Sequence, residues 1–399
     1  MKPLSISCPV ARSIVLDAQQ LNGGLPETGD PVDSAQAAIE RLGYVQLDTI
    51  SVIERAHHHV IRTRVPQYRP ADLAELQERR RSIFEYWTHA AALIPMTDFR
   101  FYLPRMKAYA RRADFRDWLT GQSGLCTEVL GRIESEGPLG VSDFPSPGGP
   151  RGPWWDWSPV KRTLETLFWT GRLMIAGRRK FQRLYDLTDR VIPANVDRRP
   201  PSADELTRFI VDRVLRAHGI VTVRDAAWWL RDSARIQCEL NRRVRRGEVV
   251  PVRIGTLSDG EMWYGLREAV EASVESLVWD GRVRLLSPFD NAIIDRRRTL
   301  KLFGFDYKLE CYTPPAKRTY GYFTLPILWE GKLVGRVDTK AERRSGTFRV
   351  LSVALEDGFA PDLEFRRAFG EALEGLAAFN GCSRVETAAQ PGDPIAKSK

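Results

Sequence analysis

The sequence predicts an α+β fold, in which tandem winged-helix (helix-turn-helix) domains precede a C-terminal β-barrel. Three observations support this prediction. The order helix, helix, strand pair recurs in the first part of the chain, basic residues and a glycine precede the apolar strands of two repeats, and short strands with turn signals follow from residue 282. We expect a first winged-helix unit at 1–115, a second at 116–198, a third at 199–281, the barrel at 282–358, and a helix with a disordered tail at 359–399.

The first unit starts with two amphipathic helices, expected at 7–21 and from Asp33 to Gly43. The stretch from Gly43 onward alternates like a strand, and a helix containing Ile50, Ile53 and three histidines is expected after it. Two apolar runs at 82–87 and 90–95 are typical of a small antiparallel pair.

The same order returns twice. In the second unit, helices are expected at 127–135 and 159–169, with a hairpin at 171–187. In the third unit, two helices precede a basic helix that ends at Gly247, and two strands close the unit; these elements are expected at 203–217, 222–230, 249–254 and 261–264.

The last part of the chain is rich in short strands. The pairs Glu330-Gly331 and Ser345-Gly346 mark turns between them. The strands are expected at 282–286, 309–312, 320–328, 332–341 and 347–355, a spacing that suits a small β-barrel or a curled sheet. A final helix should bury Phe365, Phe369, Leu373 and Leu376.

Composition and charge favour a polyanionic partner. Lysine and arginine number 60 against 51 acidic residues, which gives a net charge of +9 and a pI near 9.4. The five cysteines lie far apart without a C-x-x-C pair, as in a protein with reduced thiols. We expect a cytoplasmic protein that does not span a membrane, because no apolar run approaches the length of a membrane helix.

Gln46 and Asp48 form the candidate chemical centre. In an extended segment residues i and i+2 point to the same face, so this amide and this carboxylate would project together. Such a pair can hold and polarise one water molecule, or stabilise a cation that forms beside it. Alternatively, Asp48 begins the following helix, where Ser51 and Glu54 would supply a capping box. The spacing of the residues leaves both interpretations open.

The run His57-His58-His59 and several basic clusters are candidate contact sites. On a helix, successive residues point about 100° apart, so the histidines cannot easily face one metal ion, and a cleft or phosphate contact is favoured. No metal site is expected. Basic residues that could follow the phosphates of a duplex are clustered at Arg105 to Arg112, Arg178 to Lys180, Arg242 to Arg246, Arg296 to Lys301, and Arg343 with Arg344.

Three stretches carry a resemblance to a known family. Residues 43–65 (GYVQLDTISVIERAHHHVIRTRV), 84–95 (FEYWTHAAALIP) and 286–328 (LSPFDNAIIDRRRTLKLFGFDYKLECYTPPAKRTYGYFTLPIL) resemble the AlkZ/YcaQ family of bacterial DNA glycosylases. The resemblance implies tandem winged helices closed by a β-barrel, and removal of alkylated bases, including those in interstrand crosslinks. It also places the family's catalytic motif on Gln46-Leu47-Asp48, in the aspartate form of the YcaQ branch, with no cofactor.

The expected chemistry agrees with that resemblance. Alkylation at N7 or N3 of a purine makes the base cationic, so it leaves as a neutral group with little help from an acid. Asp48 would stabilise the oxocarbenium-like sugar and activate water, and Gln46 would position that water. We therefore expect a monofunctional glycosylase, acting as a monomer on double-stranded DNA in the bacterial cytoplasm.

A crosslinked base is tethered to the opposite strand and cannot swing into a closed pocket, so the site should be an open cleft. Candidate wall residues are Tyr86, Trp87 and His89. Further candidates for DNA contact are Arg296, Arg297, Arg298, Lys317 and Arg318.

Two other functions compete with this reading. A winged-helix transcription regulator or DNA-binding accessory protein would share the charge and the repeats, but Asp48 would have no catalytic task in it. A metal-dependent nuclease that uses the histidine run is disfavoured, because carboxylate partners at metal-ligand spacing are missing.

Overall fold

Internal contacts divide the chain into two compact units. One consists of residues 1–69 and 207–399, and the other of residues 70–206. The computed structural model describes residues 2–23, 29–145, 158–255, 257, 260–275 and 278–387. The five segments expected from the sequence are finer than this division and stay a prediction. The expected disordered tail lies outside the described residues from position 388 onward.

Helices alternate with short strands along the chain. The α-helices are, in order, α1 (Cys8–Ala18), α2 (Pro31–Leu42), α3 (Ala56–Arg62), α4 (Pro70–Ala74), α5 (Leu103–Arg111), α6 (Ala113–Gly121), α7 (Ser123–Glu136), α8 (Pro159–Trp169), α9 (Thr188–Val191), α10 (Ala203–His218), α11 (Val223–Leu230), α12 (Ser233–Arg246), α13 (Arg267–Glu275), α14 (Arg296–Phe303) and α15 (Leu363–Phe379). A π-helical turn at Glu75–Arg79 and 3₁₀ turns at Met96–Tyr102, Val141–Asp143 and Pro315–Lys317 complete the helical segments.

The strands are mostly short. They are β1 (Leu4–Ile6), β2 (Val45–Gln46), β3 (Ile83–Trp87), β4 (Ala91–Pro95), β5 (Leu173–Arg179), β6 (Gln182–Leu187), β7 (Ile220–Val221), β8 (Val249–Ile254), β9 (Trp263–Leu266), β10 (Arg284–Leu285), β11 (Thr324–Trp329), β12 (Lys332–Glu342), β13 (Thr347–Leu355) and β14 (Arg384–Thr387).

Local sequence explains where many helices begin. The Asp30 carboxylate accepts the amide hydrogen of Val32, and Pro31 occupies the first turn of α2, where no amide hydrogen is needed. Asp295 caps α14 and Asp362 caps α15 in the same way. A free amide at a helix start is satisfied in each case, so these boundaries are readable from the sequence.

The unit made of residues 70–206 contains two antiparallel hairpins, β3–β4 and β5–β6. Both confirm the expected strand pairs. In β3 all residues but Trp87 are buried, and β4 is buried from Ala92 to Pro95. The β3–β4 hairpin therefore belongs to the core of this unit, which fits its apolar sequence.

Two sheets lie entirely within the described residues of the larger unit. In the first, the strand order is β1-β8-β9-β7, and β1 pairs with β8 in parallel through Leu4 opposite Val252. The order α10, β7, α11, α12, β8, β9 builds the rest of this sheet, with β7 and β8 both antiparallel to β9. Strand β1 was not expected from the sequence, because its partner lies some 250 positions away.

The second sheet has the order β10-β11-β12-β13-β14. Its middle strands and their turns confirm the expected hairpins, and Glu330 and Gly331 adopt the positive φ values of a tight turn. Strands β10 and β14 lie at opposite ends of this order, so the sheet is a half-barrel. Of the two expected forms, a small β-barrel or a curled sheet, it agrees with the curled sheet. Helix α15 packs on it and buries the predicted residues Phe365, Phe369, Leu373 and Leu376.

Two expected elements are absent from the described chain. The helix expected to contain Ile50 and Ile53 begins only at Ala56, with no side-chain cap, so Ser51 and Glu54 form no capping box. The strand expected at 309–312 is a turn, because the Thr313 amide donates to the Glu310 carbonyl at 2.9 Å. Among the described helices, none combines the length and apolar composition that a membrane span requires.

Candidate active site

The Gln46-Leu47-Asp48 motif begins four residues after α2 ends. Gly43 terminates α2 with φ of +83°, and a Cβ at this position would lie 2.2 Å from Cδ of Arg213. Strand β2 stops at Gln46, and Gln46 and Leu47 are equally buried, at 8 % exposure each. Burial therefore does not distinguish Gln46 from Leu47, and the expected projection of Gln46 and Asp48 to the same face stays a prediction; Asp48 itself is half-buried.

Asp48 lies in a turn rather than at a helix start. Its Oδ1 accepts the amide hydrogen of Ile50 at 2.8 Å. Burial raises the pKa of Asp48, and the Ile50 and Thr49 amides oppose that rise. Asp48 forms no ion pair with any residue that the structure describes. The helix-cap interpretation of Asp48 is wrong, and the residue is a half-buried carboxylate without a counter-charge.

The segment after Asp48 is fixed to the half-barrel. The Ala341 amide on β12 donates to the Val52 carbonyl at 2.9 Å, and the Glu54 amide donates to Oδ1 of Asn380 at 2.6 Å. Ile53 is 1 % exposed and belongs to the core of the sheet and α15. These tertiary contacts satisfy the backbone of residues 52–54 outside any helix, and so they hold the Asp48 turn in place.

Two of the stretches that carry the resemblance pack on each other. Nη1 and Nη2 of Arg64 donate to the two carboxylate oxygens of Asp290 at 2.8 and 2.9 Å, with both side chains fully buried. The buried Asn291 donates from Nδ2 to the Tyr44 carbonyl, two residues before Gln46, at 3.0 Å. The motif is thus supported by residues 290 and 291, whose role was not recognised from the sequence.

Cys311 and Tyr312 are further neighbours that sequence reasoning missed. Burial raises the pKa of the Cys311 thiol, and the charge of Asp48 raises it further. For Tyr312 the charge of Cys311 is the largest cause of a raised pKa, followed by partial burial and by Asp48. Because the charge of Asp48 acts on both residues, the turn at 311–312 lies within electrostatic range of Asp48. In the sequence, the one feature that pointed to Cys311 and Tyr312 was their position in the stretch 286–328, which carries the family resemblance.

The three histidines do not form a cationic cluster. His57 and His59 are each 2 % exposed, and Nε2 of His59 donates to the Leu285 carbonyl at 2.8 Å. His58 is hydrogen-bonded through Nδ1 to the Tyr68 hydroxyl at 2.7 Å. Burial lowers the pKa of His58 and of His59 to about 4, so both rings are neutral near pH 7. The suggested phosphate contact by a charged histidine run is therefore not retained.

The aromatic candidates lie in the unit of residues 70–206. Tyr86 is fully buried, and its hydroxyl donates to the Trp169 carbonyl at 2.7 Å, so it is a core residue and not a cleft wall. Trp87 is half-buried and stacks on Trp169, with ring centroids 4.8 Å apart. Burial and then the charge of Arg105 lower the pKa of His89. Trp87 and His89 stay candidates for DNA contact.

The basic candidates divide into internal and exposed groups. Arg298 is buried in an ion pair with Asp225 at 2.7 Å, and Arg296 donates to the Ile293 and Pro288 carbonyls, so both guanidinium groups are engaged internally. Neither is retained as a DNA contact.

The other three basic residues stay candidates for DNA contact. Lys317 is exposed, and Arg318 is half-buried, with Nε donating to the Thr313 carbonyl at 2.9 Å. Arg297 is half-buried and forms no hydrogen bond or ion pair with the described residues. Among all the residues that the structure describes, no group of three His, Cys, Asp or Glu side chains is placed to hold a metal ion.

Comparison with known proteins agrees with this arrangement. A model of the family described as DNA glycosylase AlkZ-like matches residues 39–379, which include Gln46, Asp48 and strands β10 to β13 of the half-barrel. Among solved structures, the fold is similar to that of the Streptomyces sahachiroi DNA glycosylase AlkZ, with a TM-score of 0.63. The two chains are 16% identical, and the match covers 96% of this chain and 100% of the other.

Proposed function

Because the chain belongs to the AlkZ-like family of DNA glycosylases, we propose that it hydrolyses the N-glycosidic bond of cationic N-alkylated purines, of the N7-alkylguanine type, and unhooks interstrand crosslinks. The observation that carries this proposal is Asp48, a half-buried carboxylate that forms no ion pair with the residues the structure describes and lies two positions after the buried Gln46. Family membership also argues against a non-catalytic regulator. We further propose that the enzyme acts as a monomer in the cytoplasm.

The geometry of Asp48 suits a leaving group that is already cationic. A neutral purine departs without a general acid, so a single carboxylate is sufficient for the reaction. As the C1′–N bond lengthens, positive charge develops on the sugar, and a carboxylate without its own cation can stabilise that charge fully. The same carboxylate, with its raised pKa, is a better acceptor for a proton of the attacking water. In this proposal Gln46 orients the water.

We propose that the first sheet belongs to a winged-helix domain. The order α10, β7, α11, α12, β8, β9, with β9 between β7 and β8, supports this assignment, because a winged helix has the same order of elements and strands. The tandem arrangement with the segments 1–115, 116–198 and 199–281 is part of the same proposal. We propose that the protein contacts DNA phosphates through Lys317, Arg318 and Arg297. Further candidates for DNA contact are Trp87 and His89.

The decisive experiment compares the wild type with Asp48→Asn on duplex DNA that contains N7-methylguanine, in the presence of EDTA. We expect the wild type to release the base and the variant to be about 10²- to 10⁴-fold slower, the range typical of a lost general base. DNA affinity should change little, since asparagine keeps the size of the side chain. Single-turnover base release and fluorescence anisotropy measure the two quantities.

Asp362→Asn is the matched control, because asparagine caps a helix about as well as aspartate does at the start of α15. It should leave both quantities unchanged. A nitrogen-mustard crosslink replaces the N7-methylguanine duplex in a second arm, which tests unhooking separately. Base release at the wild-type rate by Asp48→Asn would contradict the assignment of Asp48, and loss of release in EDTA would contradict metal-free hydrolysis.

A further inference from the structure

Tyr312 is an aromatic residue that the protein interior does not use. Its side chain is 88 % exposed, and it lies in the middle of a turn in which the Thr313 amide donates to the Glu310 carbonyl. Single exposed apolar residues are common on protein surfaces and need no explanation by themselves. Leu363, at the start of α15, is 86 % exposed and is an example. Tyr312 differs from Leu363 in two ways: carboxylates brace its loop, and the loop lies near Asp48.

The loop that carries Tyr312, residues 310–322, is braced by two carboxylates. Glu310 accepts the amide hydrogens of Thr319, Tyr320 and Gly321 at 2.8 to 3.2 Å. Burial alone would raise the pKa of Glu310, but these three amides hold it below its ordinary value. The ends of the loop are therefore fixed to each other by an ionised side chain at neutral pH.

Asp338 attaches the same loop to β12. Its carboxylate accepts the amide hydrogens of Tyr322 and Phe323 at 3.1 and 3.4 Å. Gly321 has φ of +145°, and a Cβ there would lie 2.1 Å from Oδ2 of Asp338, so the close approach requires glycine. Inside the loop, Nε of Arg318 donates to the Thr313 carbonyl. The ring of Tyr312 is thus presented by a backbone that is already ordered, and its immobilisation on a ligand would cost little entropy.

Strand β12 places this loop next to the Asp48 turn. Asp338 holds residues 322 and 323, and three residues further along β12 the Ala341 amide holds Val52. Three strand residues span roughly 10 Å. Ile50 and Val52 on one side, and Leu309 and Tyr322 on the other, pack against the same core cluster. The charge of Asp48 also reaches the Tyr312 hydroxyl, as its contribution to the raised pKa of Tyr312 indicates.

The loop has the charge of a nucleic-acid contact. Lys317 is exposed and forms no ion pair with the described residues, and Lys308, just before the loop, is likewise exposed. An exposed aromatic ring between cations that can neutralise phosphates is the combination by which proteins hold unstacked bases.

We propose that Tyr312 is a nucleobase-stacking residue, whose ring packs against the base next to the alkylated nucleotide while Asp48 acts on the sugar of that nucleotide. The inference rests on the proposed function, because it needs damaged DNA at Asp48. Stacking requires only an aromatic face, so the contact would tolerate any neighbouring base. It would support the lesion from an exposed platform, as a crosslinked base that cannot enter a closed pocket requires.

The experiment uses the full chain and a duplex with 2-aminopurine beside N7-methylguanine. Tyr312→Ala should weaken lesion binding or slow base release by about 5- to 100-fold, the range for loss of one base-stacking contact, and should abolish the fluorescence change that wild-type binding produces. Tyr312→Phe should keep both, because it keeps the ring. Leu363→Ala is the control for removal of an equally exposed apolar side chain, and it should behave as the wild type.

The outcomes separate this inference from the proposed function. If the wild type releases no base, the proposed function is wrong. If the wild type releases base, and Tyr312→Ala matches it in binding, release and 2-aminopurine fluorescence, the stacking inference is wrong. If Tyr312→Phe is as defective as Tyr312→Ala, the hydroxyl and not the ring is used, which also contradicts stacking. An unchanged unfolding temperature of Tyr312→Ala, expected for so exposed a side chain, excludes misfolding as the cause of a defect.

Discussion

At the scale of single residues, Asp48 combines partial burial with the lack of an ion-pair partner among the described residues. Several buried acidic side chains among the described residues are paired with arginine, as Asp290 is with Arg64 and Glu85 with Arg178. An unpaired carboxylate that loses contact with water is less stable in its ionised form. That loss of stability is what makes it a stronger base, so the feature that weakens the fold locally is the one that the proposed reaction uses.

The pH dependence of base release should reflect this carboxylate. Burial raises the pKa of Asp48 above the ordinary 3.8, and the reaction needs the ionised form. The rate should therefore fall as pH decreases through that raised pKa, so the loss begins at a higher pH than a surface aspartate would give. Single-turnover rates from pH 4 to 8, corrected for spontaneous depurination, measure it. A rate that stays constant down to pH 4 would contradict Asp48 as the base.

Ionisation of Asp48 lowers the stability of the fold, whereas ionisation of a salt-bridged carboxylate raises it. Because the folded-state pKa of Asp48 is raised, its ionised form stabilises the unfolded state relative to the folded state, and this penalty is present above the folded pKa and vanishes below the ordinary value. Asp48→Asn should accordingly unfold at the same temperature as the wild type or slightly higher at pH 7. This makes loss of activity in the variant attributable to chemistry.

At the scale of elements, the junction between α2 and β2 sets the position of the motif. The helix ends where the positive φ of Gly43 turns the chain, and Arg213 from α10 fills the space beside the glycine. Arg213 is so desolvated there that burial lowers its pKa to about 9. The approach of the arginine side chain leaves no room for a Cβ, so the turn depends on glycine for both conformation and space.

Gly43→Ala should reduce the free energy of unfolding by about 1–2 kcal/mol from the left-handed conformation alone, and more if Arg213 cannot move away. Base release should fall too, since residues 44–48 follow directly. Urea unfolding measures the stability. Gly375→Ala is the control: this helical glycine in α15 has no heavy atom within 4 Å of its would-be Cβ, and alanine should stabilise the helix by about 0.5–1 kcal/mol. Equal midpoints for Gly43→Ala and the wild type would contradict the role of the glycine.

Helix caps, apolar periodicity and turn residues predicted the elements whose causes are local. Helices α8 and α15 and the hairpin turn at Glu330-Gly331 were found in this way. The failures have distant causes. Ile50 and Ile53 have helical spacing, but the Asp48 side chain takes the Ile50 amide and a strand almost 290 residues further along takes the Val52 carbonyl. No pattern around residue 50 reveals these partners.

The candidate site was predictable to the same extent. Asp48 could be chosen because the carboxylate and its apolar neighbours lie in one short stretch. Tyr312 and Asn291 could not, because their relation to that stretch exists only after residues 286–328 have packed on it. Burial could not be predicted from the sequence either. His57, Tyr86 and Arg298 have polar groups that suit a binding site, but all three side chains are buried in the protein interior.

At the scale of the whole molecule, the positive charge is much less available than the composition suggests. Helix α12 carries four arginines near its end, but Arg242 pairs with Glu239, and Arg243 pairs with Glu239 and Asp212. Such ion pairs already compensate the guanidinium charge, so these residues would release few counterions on binding a duplex. The count of 60 lysines and arginines therefore overstates the number of basic residues available for phosphate contacts.

The salt dependence of DNA binding should distinguish the two kinds of basic residue. Lys317→Ala should make the plot of log affinity against log salt concentration shallower by about one unit, as expected for one lost phosphate contact. Arg242→Ala, which removes an arginine paired with Glu239, should leave the slope unchanged. Anisotropy titrations between 50 and 200 mM salt, the range where phosphate contacts are strongly felt, measure both slopes. Equal changes for both variants would contradict the assignment.

The order in which the two units appear along the chain also matters during synthesis. The Asp48 turn is made before residues 70–206, but Ile53 is buried and Val52 is partly buried by residues of the half-barrel and α15, which are made after them. At about 5–20 residues per second, the turn waits on the order of tens of seconds for those partners. The support of the proposed catalytic carboxylate is therefore complete only after α15 has been made, and a product terminated before α15 would lack it.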